Sequence, residues 1–340
     1  MDWILTEYVK KSQDRQLGFV SLGPTITDFV IKTGYKDEPD TDEVDKPLPR
    51  RTTPLHCAAR CRHFWAVRDL FKIYNRYDVN YTDEFGYTHF HAACEFGCYK
   101  IVKEFLQFGQ DSNLLVQETG DTPLHLAVSC GERKVVKLLL RNGADPSSVN
   151  AKGSTALHRL FSGLRADDDL AEIFFRISDE KHLTVQVDAR NNEGQTALQL
   201  AVANFMPNTV KVLLDRGADL SKFVFPAEKY FHNCNDAIKW YGLEWSKSGA
   251  LSVVERLEKR GYKQNRGDAL KLMKLFAEHL CETMSRGFFQ PWALESLLVL
   301  TRHELPILCC EKIIEKLMNE DMLRLCLAAD IITNESNENM

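Results

Sequence analysis

Thr122-Pro123-Leu124-His125-Leu126-Ala127 decides the reading of this chain, because the segment recurs. The other copies are Thr53-Pro54-Leu55-His56-Cys57-Ala58-Ala59, Thr88-His89-Phe90-His91-Ala92-Ala93, Thr155-Ala156-Leu157-His158 and Thr196-Ala197-Leu198-Gln199-Leu200-Ala201, at successive offsets of 35, 34, 33 and 41 residues. A period in this range marks a chain built by stacking one supersecondary unit. Thr ahead of Pro starts a helix: the hydroxyl accepts from an orphan backbone amide, and Pro at the first helical position loses no hydrogen bond. Leu and the small alanines after it suit close packing of helix on helix. Apolar stretches follow, such as Val135-Val136-Lys137-Leu138-Leu139-Leu140 and Val210-Lys211-Val212-Leu213-Leu214, and Gly-Ala-Asp closes them at 143–145 and 217–219. They read as a second helix stopped by a glycine in the left-handed conformation. Apolar surface is then buried by stacking rather than in one central core.

The motif at this period resembles the ankyrin repeat, and five copies in register carry the resemblance. It implies an all-α ankyrin-repeat solenoid, helix pairs joined by β-hairpin loops. The 41-residue step marks extra residues in the fourth unit, including Arg165-Ala166-Asp167-Asp168-Asp169, read as a solvated loop that supplies a helix N-cap. Leu257-Glu258-Lys259-Arg260-Gly261 echoes the Leu-Asp-Arg-Gly of 214–217, so a degenerate sixth unit follows the fifth.

Composition bounds the function classes. Hydrophobic residues make up 44% and charged residues 27% of the 340 positions, with no window near eighteen uninterrupted apolar residues; no membrane partner is expected. Forty-three basic against forty-eight acidic side chains leave a net charge of −5, the wrong sign for counterion release from nucleic acid, so no nucleic-acid partner is expected. Ten cysteines are too few for a cystine scaffold of this length, and free thiols are expected. The opening Met1-Asp2-Trp3-Ile4-Leu5-Thr6-Glu7 has no secretion-signal pattern, which points to the cytoplasm, with the nucleus as a second location.

His91, Cys94 and Cys98 share one helical face, a geometry that a metal could use. The recurrence of His at the fourth motif position assigns it instead to the repeat, where the resemblance has it bridging backbone groups of adjacent units. No metal and no cofactor are expected. Phosphate-cradling loops, nucleophile elbows and His-Glu-x-x-His are absent from the sequence, so the chain is not read as an enzyme.

Beyond Ala269 the pattern turns to helices without hairpins, interrupted by Leu305-Pro306. Ile313 and Ile314, Leu317, Asp321, Met322 and Leu323 then follow at spacings similar to those of an F-box. An ankyrin array ending in such a segment resembles the PRANC family, which implies that Leu305, Pro306, Ile313, Ile314, Leu317, Asp321, Met322 and Leu323 grip the Skp adaptor of a Skp–cullin–F-box ubiquitin ligase. Ile313, Ile314 and Leu317 are read as one apolar stripe, worth about 1.5–3 kcal/mol for each side chain buried. The organisation expected is a capping and acidic approach segment at 1–45, five repeats at 46–220, a degenerate repeat or connector at 221–267, the F-box-like domain at 268–330 and a flexible tail at 331–340.

The functional reading is a substrate-recruiting adaptor whose repeats hold a target protein; the alternative is an ankyrin scaffold or inhibitor that masks a partner such as a Rel-type transcription factor. Target contacts are expected at the hairpin tips, with Tyr81, Asp83, Glu84 and Phe85 as aromatic and acidic anchors and Gln117, Glu118, Lys152, Arg190 and Asn192 at equivalent tips. Phe96 and Phe205, just after first helices, are expected to line the concave face.

Overall fold

The computed structural model describes residues 1–13, 26–39, 41, 49–160, 168–227, 243–263, 265, 267–268, 286–301, 310, 313–314, 321 and 325–326. It divides into two units, one of Met1–Ala197 with Asp215–Ala218, the other of Leu198–Leu214 with Asp219–Met340. In the first unit the motif residues start short helices, each followed by a second helix. The pairs are α3 (Pro54–Arg60) with α4 (Phe64–Leu70), α5 (His89–Glu95) with α6 (Tyr99–Gln107), α7 (Pro123–Ser129) with α8 (Arg133–Arg141), and α9 (Ala156–Arg159) with α10 (Leu170–Glu180). First helices stack on first helices, α3 on α5, α5 on α7 and α7 on α9, while α6 packs on α8 and α8 on α10. Leu55, Phe90, Leu124 and Leu157, the third motif residues, are all buried.

Two helices before the first motif complete the stack. α1 (Asp2–Gln13) packs on α3, and α2 (Ile26–Lys32) packs on α4, so residues without a repeat signature adopt the packing of one. Their attachment is partly ionic. The Arg51 guanidinium lies against Asp37 and 3.3 Å from Asp2, and the Tyr74 hydroxyl donates to Asp2 at 2.7 Å. Tyr81 donates to Asp37, and Arg51 lies 4.7 Å from the Tyr81 ring centroid.

The fourth motif residue carries the stacking. In each of four repeats the Thr amide donates to His Nδ1, so Nε2 holds the ring proton and donates to a carbonyl at the start of the next unit. The bonds run from His56 to Tyr81 at 3.3 Å, His91 to Leu114 at 2.9 Å, His125 to Ser154 at 2.9 Å and His158 to Gln195 at 3.0 Å. The amide bonds to Nδ1 measure 3.0–3.2 Å throughout. Burial holds the four rings neutral: His56 and His91 are pushed down to about 4, and His125 and His158 are also lowered. His89, standing where other copies have Pro or Ala, meets the Thr53 hydroxyl through Nε2 at 2.7 Å, inside a ring cage of His56, Phe71, Tyr74 and Tyr81.

The turn from first to second helix needs a left-handed residue. Gly97 and Gly131 take it at φ +65° and +70°, whereas Arg62 occupies the same place at φ +53°, a strained conformation for a side chain with a Cβ. His182, at φ +55°, ends α10 where glycine ends α8. Asp169 stands at the α10 N-cap without a side-chain cap bond; its carboxylate pairs with Arg133 at 3.3 Å, so it does not act as the expected cap. Residues 165–167 lie outside the described residues. The expected β-hairpins reduce to isolated bridges at Arg50–Thr82 and Thr82–Thr88, and no strand is present among the described residues.

All but the first residue of α11 (Ala197–Ala203) and the last of α12 (Pro207–Asp215) belong to the second unit, with α13 (Leu243–Lys259) and α14 (Arg286–Leu300). Gln199 replaces histidine in the fifth motif and donates to the Val224 carbonyl at 2.9 Å, the same forward bridge made by an amide. α13 buries Ala250, Val253, Val254 and Leu257 and ends at Gly261 with φ +91°, where the sequence echoes the earlier helix stop.

Two outcomes follow. The folded-state histidines lie below the unfolded value of about 6.5, so the unfolded chain binds more protons as pH falls, and stability present above pH 6.5 is lost toward pH 4. The unfolding free energy from urea titration should therefore drop between pH 7 and 5, by on the order of 1–2 kcal/mol for each of His56 and His91. Arg62→Gly should raise stability at pH 7 by about 1 kcal/mol through relief of the left-handed strain, read in the same denaturation.

Candidate functional site

Three of the four tips between repeats are built by one recurring device. Asp83 accepts at Oδ1 from the amides of Phe85 and Tyr87, both at 2.9 Å. Asn150 does the same for Lys152 and Ser154, and Asn191 for Glu193 and Gln195. An Asp carboxylate or Asn carboxamide oxygen can satisfy two amides of a tight turn that have no backbone partner. The second tip has Gln117 at this place, too long for the same turn; there the Thr119 hydroxyl accepts from Asp121 N, and Asn150 donates to the Asp121 carboxylate at 2.8 Å.

Backbone bonds join successive tips. Glu118 N donates to Phe85 O at 3.2 Å, Ala151 N to Thr119 O at 2.9 Å, and Asn192 N to Lys152 O at 3.0 Å. The approach is close enough to exclude a Cβ at Gly86 and Gly120, where it would lie 2.7 Å from Gln117 N and 2.8 Å from Ala151 N. The tips of residues 83–86, 117–120, 150–153 and 191–194 therefore form a braced row. The two positions between the Asx residue and the glycine point their side chains outward.

Measured against this geometry, the expected anchors separate. Glu84, Gln117, Glu118, Lys152, Arg190 and Asn192 are exposed, and Phe85 retains 40% of its surface. Tyr81, Asp83, Phe96 and Phe205 are not available for contact, being 1%, 2%, 1% and 2% exposed. Tyr81 is tied into the Asp37 and Arg51 network, and Asp83 is the turn brace. Phe96 packs its ring 4.9 Å from Phe64 between helices rather than on an inner face. Phe205 holds a left-handed backbone at φ +50° within the second unit, its side chain inside. Of the exposed group, Arg190 donates to Gly194 O at 2.6 Å and Asn192 to Ala151 O at 3.1 Å, so both also stiffen the row.

Arg60 completes the site and was not legible as part of it. Its guanidinium sits 2.7 Å from Asp83 Oδ2 and 3.5 Å from Glu84 Oε1, and lies 4.5 Å from the Phe85 ring centroid. One cation thus fixes the brace, backs the aromatic and orients the acid. Nearer the helix ends, Tyr87 donates to Glu95, whose carboxyl burial pushes upward in pKa. Thr119, Ala151 and Glu193 share the outward register of the named tip residues; the signal that finds them is their place one or two residues ahead of Gly120, Gly153 and Gly194.

Burial raises the Cys98 and Cys130 thiols to about 11, and pushes the Cys94 thiol up as well. His91, the first member of the His-Cys-Cys face, spends both ring nitrogens on Thr88 and Leu114. Among the described residues no group of three His, Cys, Asp or Glu side chains is placed to hold a metal ion. No described helix is long and apolar enough to cross a membrane.

At the carboxyl end, Leu305, Pro306, Leu317, Met322 and Leu323 lie outside the described residues. Ile313, Ile314 and Asp321 are helical, with Ile314 3% and Ile313 40% exposed and Asp321 half-buried. The two isoleucines therefore do not form one outward stripe: neighbours on a helix point about 100° apart, and here one packs inward while the other meets water.

The comparisons agree with this architecture. The family model "Ankyrin repeats (3 copies)" matches residues 55–150 and 135–223. The chain is similar to human B-cell lymphoma 3 protein, 35% identical over 142 residues that cover 41% of this chain and 30% of the relative. It is similar to human BCL-6 corepressor-like protein 1, 39% identical over 80 residues, 24% of this chain and 4% of the relative. It also matches human transient receptor potential cation channel subfamily A member 1, 28% identical over 180 residues, 52% of this chain and 15% of the relative. The chain thus spans less than a third of the length of each of these proteins. With the helix pairs, the histidine bridges and the braced tips in the same register, residues 55–223 are ankyrin repeats.

Proposed function

We propose that the chain is a non-enzymatic scaffold that captures a protein partner along its row of tips and thereby masks or positions it. The observation that carries this is the preorganisation of Phe85, Glu84 and Glu118: an exposed aromatic backed by Arg60, flanked by acids, on turns already bonded to their neighbours. A rigid tip loses little entropy on binding, which is how a small contact area becomes useful affinity. Similarity to a protein named BCL-6 corepressor-like protein 1 supports a partner in transcriptional control, and a Rel-type factor is the specific candidate for masking. Such a role places the protein in the cytoplasm or nucleus.

A second reading, the ligase adaptor, is favoured by the F-box-like spacing from Leu305 to Leu323 and by the exposure of Ile313. It differs in outcome: the captured partner is destroyed rather than held. In this reading the ubiquitin transfer is performed by other subunits.

Affinity purification of the tagged full chain from cells tests the first reading. Phe85→Ala combined with Glu118→Lys should weaken recovery of the principal partner about tenfold or more, as expected for an aromatic anchor, with an unchanged thermal midpoint; undiminished recovery would refute the tip site. Ile313→Asp separates the second reading, since this side chain is exposed and its change spares the packing around Ile314. Skp and cullin should accompany the unmodified chain and be lost from Ile313→Asp if the adaptor reading holds, while masking predicts their absence from both and a stable partner level.

A further inference from the structure

The face of the second helices turned away from the first helices has a composition that partner capture at the tips does not use. α4, α6 and α8 start at Phe64, Tyr99 and Arg133, so their second positions are Trp65, Lys100 and Lys134 and their fifth positions Arg68, Lys103 and Lys137. Residues three apart on a helix sit on one face about 5–6 Å apart, and packed helices lie about 8–10 Å apart. α6 packs on α8, so the four lysines form a two-by-two basic lattice in a shared register. Lys100, Lys103 and Lys134 are exposed and Lys137 is half-buried; none of the four forms an ion pair among the described residues.

The neighbouring acids, Glu104 one turn from Lys100 and Glu132 at the α8 N-cap, offset this lattice only in part. α8 contains Arg133, Lys134, Lys137 and Arg141 and no acid; its two arginines are paired outward, with Asp169 at 3.3 Å and Glu180 at 3.2 Å. Glu104, the one acid of α6, is half-buried, stands one turn beyond Lys100 and is near enough to Tyr77 to push its hydroxyl up in pKa. Asp69 on α4 is held by Lys72 at 2.6 Å. Asp169 and Glu172 at the start of α10 mark where the basic face ends. In line with Lys100 and Lys134 stands Trp65, 82% exposed, more open to water than any other large apolar side chain in the described residues.

We propose that this face of α4, α6 and α8 is a docking surface for a bilayer bearing acidic headgroups. Charge complementarity selects an anionic occupant, and the residue types select the kind. A carboxylate or phosphate recognised singly favours the bidentate fork of Arg, whereas four flexible lysine point charges suit the diffuse field of an acidic leaflet. Trp has a ring that settles at the headgroup level of a membrane interface. The attachment is peripheral and leaves the tips free, so the chain would present its captured partner at a membrane. The sequence-based expectation of no membrane partner rested on the lack of a spanning segment, and a lattice shared between helices 34 residues apart has no linear signature.

Sedimentation of the full chain with vesicles tests the proposal. Binding is expected to vesicles containing about three-tenths phosphatidylserine and not to phosphatidylcholine alone, and to fall steeply between about 0.1 and 0.5 M salt as the charges are screened. Each lysine near such a surface contributes about fivefold, so Lys100→Gln with Lys134→Gln should weaken partitioning by more than about tenfold at an unchanged thermal midpoint. Phe85→Ala should leave it intact, which separates this face from the tips. Equal binding to uncharged vesicles, salt-independent binding, or undiminished binding by the double variant overturns the proposal. So does retention of a duplex DNA oligonucleotide on the same lysines without vesicle binding. The salt titration, run on the unmodified chain, decides the matter even if the variant fails to fold.

Discussion

The neutral histidine at the fourth motif position is the joint on which the stack depends. Its Nδ1 takes the amide of the threonine that starts its own helix, and its Nε2 proton goes to a carbonyl of the next repeat. One ring therefore satisfies two buried backbone groups that would each cost about 1–3 kcal/mol if left unpaired. Because the ring must accept on one side and donate on the other, only the singly protonated form fits, and burial enforces that form. The fifth copy shows what the geometry requires: an amide at Gln199 makes the same forward reach. Every such bridge spans a single interface, so cohesion here is a chain of nearest-neighbour terms.

The amino-terminal helices show the same packing reached by another route. α1 and α2 have no Thr-Pro start and no bridging histidine, yet they cover α3 and α4 as a repeat would. Arg51 takes the place of the missing bridge, drawing Asp2 and Asp37 together, and the Tyr74 and Tyr81 hydroxyls occupy the remaining acceptor sites. At the adjoining interface His89 has displaced the usual proline, and its contact with Thr53 draws a second repeat into the same polar cluster. The end of the stack is therefore held by partly buried charge and hydrogen bonding beside its apolar contacts, where water would otherwise attack the first interface.

How much was legible in the sequence follows from how each property is encoded. Helix starts, glycine stops and the bridging histidines are local, set by residues within a few positions of one another, and the structure has them where the motif does. The echo at Leu257–Gly261 was legible for the same reason, as the end of a helix. Burial at the tips was not. Asp83 reads as an exposed acid until its two amide bonds are seen, and Tyr81 as an exposed aromatic until Asp37, 44 residues away, is found at its hydroxyl. Phe96 and Phe205 follow their helices as expected, but the turn rotates them inward. Ile313 and Ile314 were read as one face on their spacing alone, and the helix divides them. Arg60 entered the site through a contact across 25 residues, with Phe85. The α1–α2 pair resisted reading because its role is defined by what it covers.

The braced tips divide the labour between residues in a way that bears on how such a chain can change. In three of the four turns an Asx residue and the glycine belong to the fold, and in the second Thr119 takes the bracing part; apart from Thr119 and Asn192, the side chains of the pairs before the glycines touch little that the fold needs. Substitutions can accumulate in those side chains without disturbing the hydrogen-bonded frame, so specificity is free to drift while architecture stays constant. The row works like a keyboard with a fixed bed and replaceable caps, and divergence between related chains should concentrate in those caps.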